Sequence, residues 1–337
     1  MGYAQKTYAS TELPSAPLGR LRYLAARLHY AHHCHTARKT EKPKMIAFPE
    51  HPSALQKELN KSKLLGTTNN GQQIFLFDYH INSSVIRELG RLRELTFRAV
   101  GEGTHKPRDI DSYDKTYRHI VLWNERAQEI VGAYRIGEAF RLKEHKTPAS
   151  LYTHELFKYE NQFSEIYPYG IELGRSFIQP KYWSKRGLDL LWQGIGAYLR
   201  MHPHVRYLFG GVSLSNDYPE LAKQQIIGLY RYFFRPENAA EYASSRMPYQ
   251  CNRAVTEVYR GKTFDQAQRE LSLELASQDL SIPTLFKHYV SLCHSDGVKF
   301  MDFNIDPEFS YCIDGLILVD LTKIKDSKKR RYLTPNA

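Results

Sequence analysis

The sequence predicts an α/β fold with a mixed central sheet flanked by helices. The first observation is the order of apolar and polar residues from about residue 73, which indicates strand, helix, hairpin, strand, helix, strand and helix in turn. The second is composition, because 42% hydrophobic and 13% aromatic residues favour a packed core over a disordered chain. The third is length, since 337 residues suffice for one large domain or for a domain with sizeable extensions.

The first half of the predicted sheet ends in a hairpin. Ile74–Tyr79 is an apolar run typical of a strand, and the apolar spacing in Ser83–Val100 predicts a helix. The polar, glycine-rich stretch 101–117 predicts an ordered loop or a short helix. His119–Trp123 and Glu129–Gly137 are strand-like runs on either side of a turn, which together predict the hairpin.

The second half alternates strands with helices. After a variable stretch at 139–169, Gly170–Ile178 predicts a strand and residues 186–201 predict a helix. Val205–Leu214 predicts the next strand, and Tyr218–Phe234 predicts the helix that follows it. This alternation is typical of a sheet in which some strands run parallel.

We predict three regions along the chain. Residues 1–45 form a basic helical leader, 46–235 form the core, and 236–337 form a C-terminal extension that packs on the core or completes it. Within the extension, Thr284–Cys293 predicts a helix and Tyr311–Val319 predicts a buried strand.

The leader offers two hypotheses of its own. Leu18–Ala37 carries apolar residues at helical spacing among arginines, so the helix would lie either on an anionic lipid surface or on its own domain. His29, His32 and His33 could share one face of that helix and hold zinc. No second group of ligands follows nearby, so we predict no metal.

The chain is basic, with a net charge of +11 and a pI near 9.3. The tail Lys323–Arg331 contributes to this charge, and we expect it to be solvated. A basic protein favours acidic partners, which are nucleic acid, an anionic membrane surface or an acidic carrier protein. No nucleic-acid-binding motif accompanies the charge, so we predict no nucleic acid partner.

Cysteine usage and hydropathy predict a cytoplasmic protein, peripheral at most on the inner membrane. The four cysteines are scattered and form no CxxC pair, which is typical of reduced thiols. No apolar run approaches the roughly 20 residues that span a bilayer. The N-terminus lacks the apolar core of a secretory signal.

The run Gly170–Pro180, GIELGRSFIQP, places two opposite charges on a strand that its apolar residues predict to be buried. Burying the charged side chains of Glu172 and Arg175 there costs free energy unless each is paired with an opposite charge or takes part in function. A desolvated carboxylate can act as a general base, or an ion pair can hold the strand to a helix. Ser213 and Ser215, at the end of a neighbouring strand, could contact a ligand or cap the following helix.

Seven charged or aromatic positions recur in order upstream and within this strand. They are Arg93, Phe97, Asp111, Asp114, Arg135, Glu172 and Arg175. In these residues the sequence resembles the GNAT-type N-acyltransferases, in the branch that holds acyl-homoserine-lactone autoinducer synthases and bacterial ornithine-lipid N-acyltransferases. The resemblance implies a GNAT-like fold.

The ornithine-lipid branch, with its longer hemolysin-like members, is the more similar of the two. RELTFRAVGEGT, YDKTYRHIVLW, IVGAYRIG and ELGRSFIQPKYW carry that resemblance over about residues 85–220, and GVKFMDFNIDPEFSYCIDGLILVDL extends it. Autoinducer synthases have a tryptophan a few residues after the phenylalanine, where this chain has GEG. This departure favours a simple amino acid over S-adenosylmethionine as the amine substrate.

The resemblance implies an amino-acid N-acyltransferase that makes a lyso-aminolipid of the ornithine or glycine type from a fatty or 3-hydroxy fatty acyl thioester. It implies Glu172 as the base, directly or through a water, with Arg175 orienting a carboxylate. Arg93, Phe97, Asp111, Asp114, Arg135, Ser213 and Ser215 are the expected substrate-binding residues. Asp111 and Asp114 would organise a loop over the amine pocket rather than transfer protons.

The predicted acyl donor is acyl carrier protein, and no other cofactor is expected. KYWSKRGLDLLW keeps Lys185, Arg186 and Gly187, but Asp189 replaces the second glycine of a pyrophosphate-binding turn and would repel a pyrophosphate. Two alternatives stay open: an autoinducer synthase, and a non-catalytic acyl-binding partner of an O-acyltransferase.

Overall fold

The computed structural model describes residues 43–144, 150–183, 186–294 and 296–334. The predicted leader helix, its histidines and Lys185 lie outside the described residues.

An eight-stranded mixed sheet forms the centre of the described chain. Its strands lie in the order β1-β2-β3-β4-β6-β7-β10-β9, and every neighbouring pair is antiparallel except β6 and β7. The bounds are β1 (Lys63–Thr67), β2 (Gln72–Phe77), β3 (Arg118–Asn124), β4 (Glu129–Gly137), β6 (Gly170–Ile178), β7 (Tyr207–Leu214), β9 (Val298–Asp306) and β10 (Cys312–Asp320). A separate two-stranded sheet pairs β5 (Phe157–Tyr159) with β8 (Ala243–Ser245). The predicted fold class is confirmed.

Helices cover both faces of the large sheet. They are α1 (Pro52–Leu59), α2 (Ser84–Arg98), α3 (Gly187–Met201), α4 (Glu220–Phe234), α5 (Arg253–Glu257), α6 (Phe264–Ala276), α7 (Thr284–Leu292) and α8 (Asp326–Lys328). Side chains alternate along a strand, so Phe75 joins the apolar cluster of α1 and α2 while Ile74 joins that of α3, α4 and α7. The site described below opens between these two helix layers.

The C-terminal residues complete the sheet. β10 pairs with β7 along its whole length, from Ile313 opposite Leu214 to Asp320 opposite Tyr207. β9 then pairs with β10 and forms the outer edge. The strand β7 therefore lies inside the sheet, although it is the last strand in the predicted alternation of strands and helices.

The predicted solvation of the tail at 323–331 is confirmed, because none of these residues is buried, but the chain there is folded rather than extended. After α8 the chain forms a helical turn at Lys329–Leu333, and Tyr332 is buried against α3 and α7. Gly196 of α3 makes this contact possible, because a Cβ there would overlap the carbonyl oxygen of Tyr332. The backbone N–H of Lys325 donates a hydrogen bond to the carbonyl oxygen of Leu292, and this contact holds the start of the tail against the protein.

No helix in the described part of the chain combines the length and the apolarity that crossing a bilayer requires.

Gly196→Ala should loosen the tail. The added methyl group meets backbone rather than a flexible side chain, so we expect a loss of about 1–3 kcal/mol in the free energy of unfolding. Urea denaturation measures the loss, and limited proteolysis reports earlier cleavage after residue 323. Gly66→Ala is the matched control, since nothing lies within 4 Å of a Cβ at that position. Equal stability of the two variants would contradict the packing described.

Candidate active site

The site begins where β6 and β7 separate. The two parallel strands pair at only three positions, of which Glu172 opposite Phe209 is the last. Beyond it Gly210 lies against β6, where a Cβ would overlap the carbonyl oxygen of Leu173. The edge of β6 that faces β7 then has no partner strand through Ile178. The carbonyl oxygen of Ile178 accepts a hydrogen bond from Trp183 Nε1 at 2.7 Å, and the backbone groups of β6 before it on this edge can bind a ligand.

β6 stays paired with β4 on its other side, with one irregularity. The register shifts between Ala133 and Arg135, where β6 bulges. Arg175 lies in the bulge with a φ of +48°, which is uncommon for a residue other than glycine. Bulges redirect side chains next to functional sites, and here the bulge directs the guanidinium group of Arg175 into the opening.

The opening between the strands is a cleft of about 1130 Å³, here called the interstrand cleft. One wall is the free edge of β6, and the other carries Ser213 and Ser215. Apolar and aromatic side chains line much of its length, among them Phe97, Tyr134, Leu191, Leu285, Tyr289 and Phe309. It reaches the surface beside Trp183, which is half exposed.

A second cavity of about 340 Å³ adjoins the cleft and is here called the acidic cavity. Its lining includes five carboxyl groups: Asp109, Asp111, Glu155, Asp306 and Glu308. Tyr152, Arg175 and Phe309 line both spaces, so these three side chains stand at their junction. The guanidinium group of Arg175 lies 4.5 Å from the ring centre of Tyr152 and 5.0 Å from that of Phe309.

Glu172 borders the cleft from the end of the paired segment and is 1% exposed. Its carboxylate accepts hydrogen bonds from the Tyr117 hydroxyl and from the backbone N–H groups of Tyr152 and Thr153, at 3.2 and 2.8 Å for the latter two. Burial raises the pKa of Glu172 above its ordinary value, and these donors together with Arg135 only partly oppose the shift. The carboxyl group therefore anchors the loop that carries Tyr152 into the junction.

Arg175 does not pair with Glu172 but with two aspartates of the loop before β3. Its Nε lies 2.9 Å from Asp109 Oδ2, and its Nη2 lies 3.6 Å from Asp111 Oδ2. The bulge turns Arg175 away from Glu172 and towards the loop before β3. The sequence does not predict a role for Asp109, because its pairing with Arg175 depends on that bulge.

Arg93, Asp114 and Arg135 form a buried ion network beneath the acidic cavity. Arg93 Nη1 donates to Asp114 Oδ1 at 2.7 Å, and Arg135 Nη1 lies 3.4 Å from the same oxygen and 2.6 Å from Asp111 Oδ1. Asp111 also caps the short helix Ser112–Lys115, with Asp114 completing a capping box. Arg93, Asp114 and Arg135 line neither space, so the structure does not support their assignment as substrate-binding residues.

The comparisons with known proteins agree with this geometry. Residues 92–193 match the family described as acetyltransferase (GNAT) domain. Two proteins named glycine N(alpha)-acyltransferase, from Phocaeicola vulgatus and Bacteroides thetaiotaomicron, are 31% identical over 303 residues, which is 86% of this chain and 92% and 89% of theirs. An L-ornithine N(alpha)-acyltransferase of Rhizobium meliloti is 30% identical over 72% of this chain and 75% of its own. The chain belongs to the GNAT N-acyltransferase family.

Solved structures similar to this acyltransferase include the acyl-homoserine-lactone synthase LasI. That likeness covers 82% of this chain and 100% of the other, at 10% identity and a TM-score of 0.36. The loading GNAT domain of CurA from Lyngbya majuscula matches 60% of this chain and 76% of its own at 12% identity, with a TM-score of 0.28.

The two serines of the acyltransferase cleft do not cap a helix. Ser213 Oγ donates to Asp314 Oδ1 at 2.6 Å, and Ser215 Oγ donates to the Gly101 carbonyl at 3.1 Å. The following helix begins five residues beyond Ser215, where Pro219 precedes it without a side-chain cap. The capping prediction for Ser215 is therefore wrong.

Two further carboxyl groups line the cleft of the acyltransferase and escape prediction from the sequence. Burial, with the nearby Asp306 carboxyl, raises the pKa of Asp314 to about 7. Partial burial and Asp314 raise the pKa of Glu102 to about 8. Glu102 is the centre of the GEG run, whose glycines both adopt positive φ. The two glycines mark Glu102 in the sequence as part of a special turn, whereas the position of Asp314 depends on the pairing of β10 with β7.

Asp189 does not leave a bare negative charge at the start of α3. Arg331 binds it through two nitrogens, at 2.5 and 2.6 Å, and the Tyr332 hydroxyl donates at 3.0 Å. These partners outweigh its burial and lower the pKa of Asp189. The folded tail thus pairs with Asp189, and the repulsion of a pyrophosphate by this residue stays a prediction.

Asp114→Asn should destabilise the protein, because Arg93 and Arg135 would keep buried positive charges without that carboxylate. We expect a loss of about 3–5 kcal/mol in the free energy of unfolding at pH 7. Burial alone would favour neutral Asp114, but Arg93, Arg135 and His119 hold its pKa well below the ordinary value. A group with a lowered folded pKa stabilises above its unfolded pKa, near 3.9, and less as the pH falls below it.

Urea denaturation at pH 7 and pH 3 tests both parts of this prediction. The difference between wild type and Asp114→Asn should shrink at the lower pH. Asp78→Asn is the control, since Asp78 is 65% exposed and its pair with Arg118 should contribute less than about 1 kcal/mol. Equal losses in the two variants would show that the buried network is not stabilising.

Proposed function

We propose that this acyltransferase moves a fatty or 3-hydroxy fatty acyl group from acyl carrier protein to the α-amine of an amino acid of the glycine or ornithine type. The product would be a lyso-aminolipid. One observation carries the proposal: a long cleft with apolar and aromatic walls meets a small cavity lined by carboxyl groups, and they share Tyr152, Arg175 and Phe309. The names of the relatives support the choice of amino acid.

The interstrand cleft suits the acyl thioester. Its apolar walls favour a hydrocarbon chain, and its free β6 edge offers backbone groups to the arm that carries the thioester. Phe97 contributes to the wall and contacts Phe309 edge to face, with ring centres 5.0 Å apart. Of the two residues on α2 predicted to bind substrate, Arg93 and Phe97, only Phe97 lines the cleft.

The acidic cavity suits an amino acid. Its carboxyl groups favour an ammonium ion, and two of them contact the junction: Asp109 pairs with Arg175, and Asp306 accepts a hydrogen bond from the Tyr152 hydroxyl at 3.2 Å. Lys106 and Arg246 line the same cavity, and the structure records no ion pair for either within the described ranges. These two cations are our candidates for holding the substrate's carboxylate, because Arg175 is already engaged by Asp109.

The chemistry follows from bringing the amine to the thioester at this junction. Glu172, directly or through a water, takes a proton from the ammonium, and the neutral amine attacks the thioester carbonyl carbon. The carbon–nitrogen bond forms and the oxygen becomes an oxyanion, which N–H groups on the free edge of β6 stabilise. The carbon–sulfur bond then breaks, and the second proton lost by nitrogen passes to the departing thiolate.

Arg175 holds the geometry of this step. It lies between the rings of Tyr152 and Phe309 and pairs with Asp109, so it fixes the wall between the two spaces. Asp111 lines the acidic cavity, and Ser213 and Ser215 line the cleft, so these three remain candidates for substrate binding. Arg93, Asp114 and Arg135 act from below by supporting the loop that carries Asp109 and Asp111.

Purified enzyme should form an N-acyl amino acid from palmitoyl or 3-hydroxypalmitoyl carrier protein and glycine or ornithine. Mass spectrometry of the reaction identifies the product, and lipid extracts of expressing cells provide the same readout in vivo. An N-acyl-homoserine lactone would instead identify an autoinducer synthase. A folded protein that forms no product with either amine would favour a non-catalytic acyl-binding role.

Glu172→Gln should lower kcat/KM by at least about 100-fold at pH 7 without unfolding the protein. The base must be ionised, so log kcat/KM should rise with pH through the raised pKa of Glu172 and then level off. Asp314→Asn is the matched comparison, because Asp314 is the other buried carboxyl group on the cleft wall. Its pH profile should keep the same rising limb.

The outcome that contradicts this assignment is equally clear. If Glu172→Gln keeps full activity while Asp314→Asn loses a limb near pH 7, then Asp314 is the base. Circular dichroism of both variants separates a chemical effect from loss of the Tyr152 loop, which Glu172 also anchors.

A further inference from the structure

Positive charge from residues 325–331 lies beside the interstrand cleft. Residues 325–331, KDSKKRR, carry five cations and one carboxylate. Lys328 and Arg331 line the cleft itself, together with Arg186 from the start of α3. The tail therefore forms part of the wall of the donor site, although it begins 147 residues after the end of β6 in the sequence.

Folding of the tail leaves most of this charge unneutralised. Asp189 is taken by Arg331, with Arg186 3.5 Å away from the same carboxylate. Among the described residues no ion pair is recorded for Lys325, Lys328, Lys329 or Arg330. Lys328 is partly buried beside Arg331, and burial and that cation lower the pKa of Lys328.

Part of this charge is exposed to solvent. Lys329 and Arg330 are exposed, and the side chain of Arg186 is 73% exposed. Trp183, half exposed, lines the cleft together with Arg186. An acyl group on a carrier protein must enter here on its phosphopantetheine arm, whose phosphate stays near the surface while the thioester reaches the junction.

We propose that the collar formed by Arg186, Lys325 and residues 328–331 is the docking surface for an acidic acyl carrier protein. The inference rests on the proposed function, since it names where the donor of that reaction binds. Arg186, Lys328 and Arg331 of this collar line the cleft itself, so they lie where a partner would insert its arm. Charge complementarity of this kind mainly raises the association rate, and salt weakens it.

The test compares two acyl donors in wild-type enzyme and in Lys329→Glu/Arg330→Glu. One donor is palmitoyl carrier protein, and the other is palmitoyl-pantetheine, which has the thioester arm without the protein. The ratio of kcat/KM for the carrier to kcat/KM for pantetheine should fall at least about tenfold in the variant. The same ratio in wild type should fall as sodium chloride is added, and the variant should respond less.

Lys57→Glu/Lys61→Glu is the matched control, because both lysines are exposed at α1, in the helix layer on the opposite face of the sheet. It changes the net charge equally and should keep the wild-type ratio. A wild-type ratio in Lys329→Glu/Arg330→Glu would overturn the docking surface. So would a variant that loses binding to phosphatidylglycerol vesicles with an unchanged ratio, which would assign the collar to a membrane.

The same assay separates failure of the inference from failure of the proposed function. Wild-type enzyme that acylates the amino acid from palmitoyl-pantetheine but not from carrier protein overturns the carrier as donor, and with it the docking surface. Wild-type enzyme that acylates no amino acid from either donor overturns the proposed function itself. Thermal melting of all three proteins confirms that the substitutions leave the fold intact.

Discussion

The separation of β6 from β7 after three paired residues is the constraint on which the rest of the site depends. Two neighbouring strands normally satisfy each other's backbone groups, so a gap leaves polar groups that only a ligand or water can bind. Gly210 allows the strands to lie close at the last contact, because it has no side chain to meet the carbonyl oxygen of Leu173. Beyond that point the bulge at Arg175 bends β6 away from β7. The cleft, its free edge and the position of Arg175 all follow from this divergence.

Polar side chains cross one face of the sheet in register with the gap. His119 lies opposite Arg135, Arg135 opposite Gly174, and across the cleft Ser213 lies opposite Asp314. On this face the apolar residues form two separate clusters, whereas the opposite face carries one large cluster. The continuous core on one side thus supports a face that gives up apolar packing for buried charge, where every carboxylate needs a partner.

The sequence predicts the strands and helices between residues 74 and 234 because apolar periodicity is local information. It does not predict β9 or the folding of the tail, because their burial depends on distant partners such as β10 and α3. The same holds within the site. Glu172 is recognisable as a charge on a buried strand, but the Asp109–Arg175 pair depends on a bulge, and Asp314 depends on a strand pairing across residues 215–311.

The pairing of β10 with β7 also sets the order in which this protein can mature on the ribosome. β7 emerges with one edge open, and its partner arrives only after residues 215–311 have been made. The helix α3 waits longer still for Arg331 and Tyr332, which follow β10 in the sequence. Such non-local pairings form slowly. A nascent chain therefore carries neither a closed cleft wall nor a completed entrance until β10 and the residues through Tyr332 have been made.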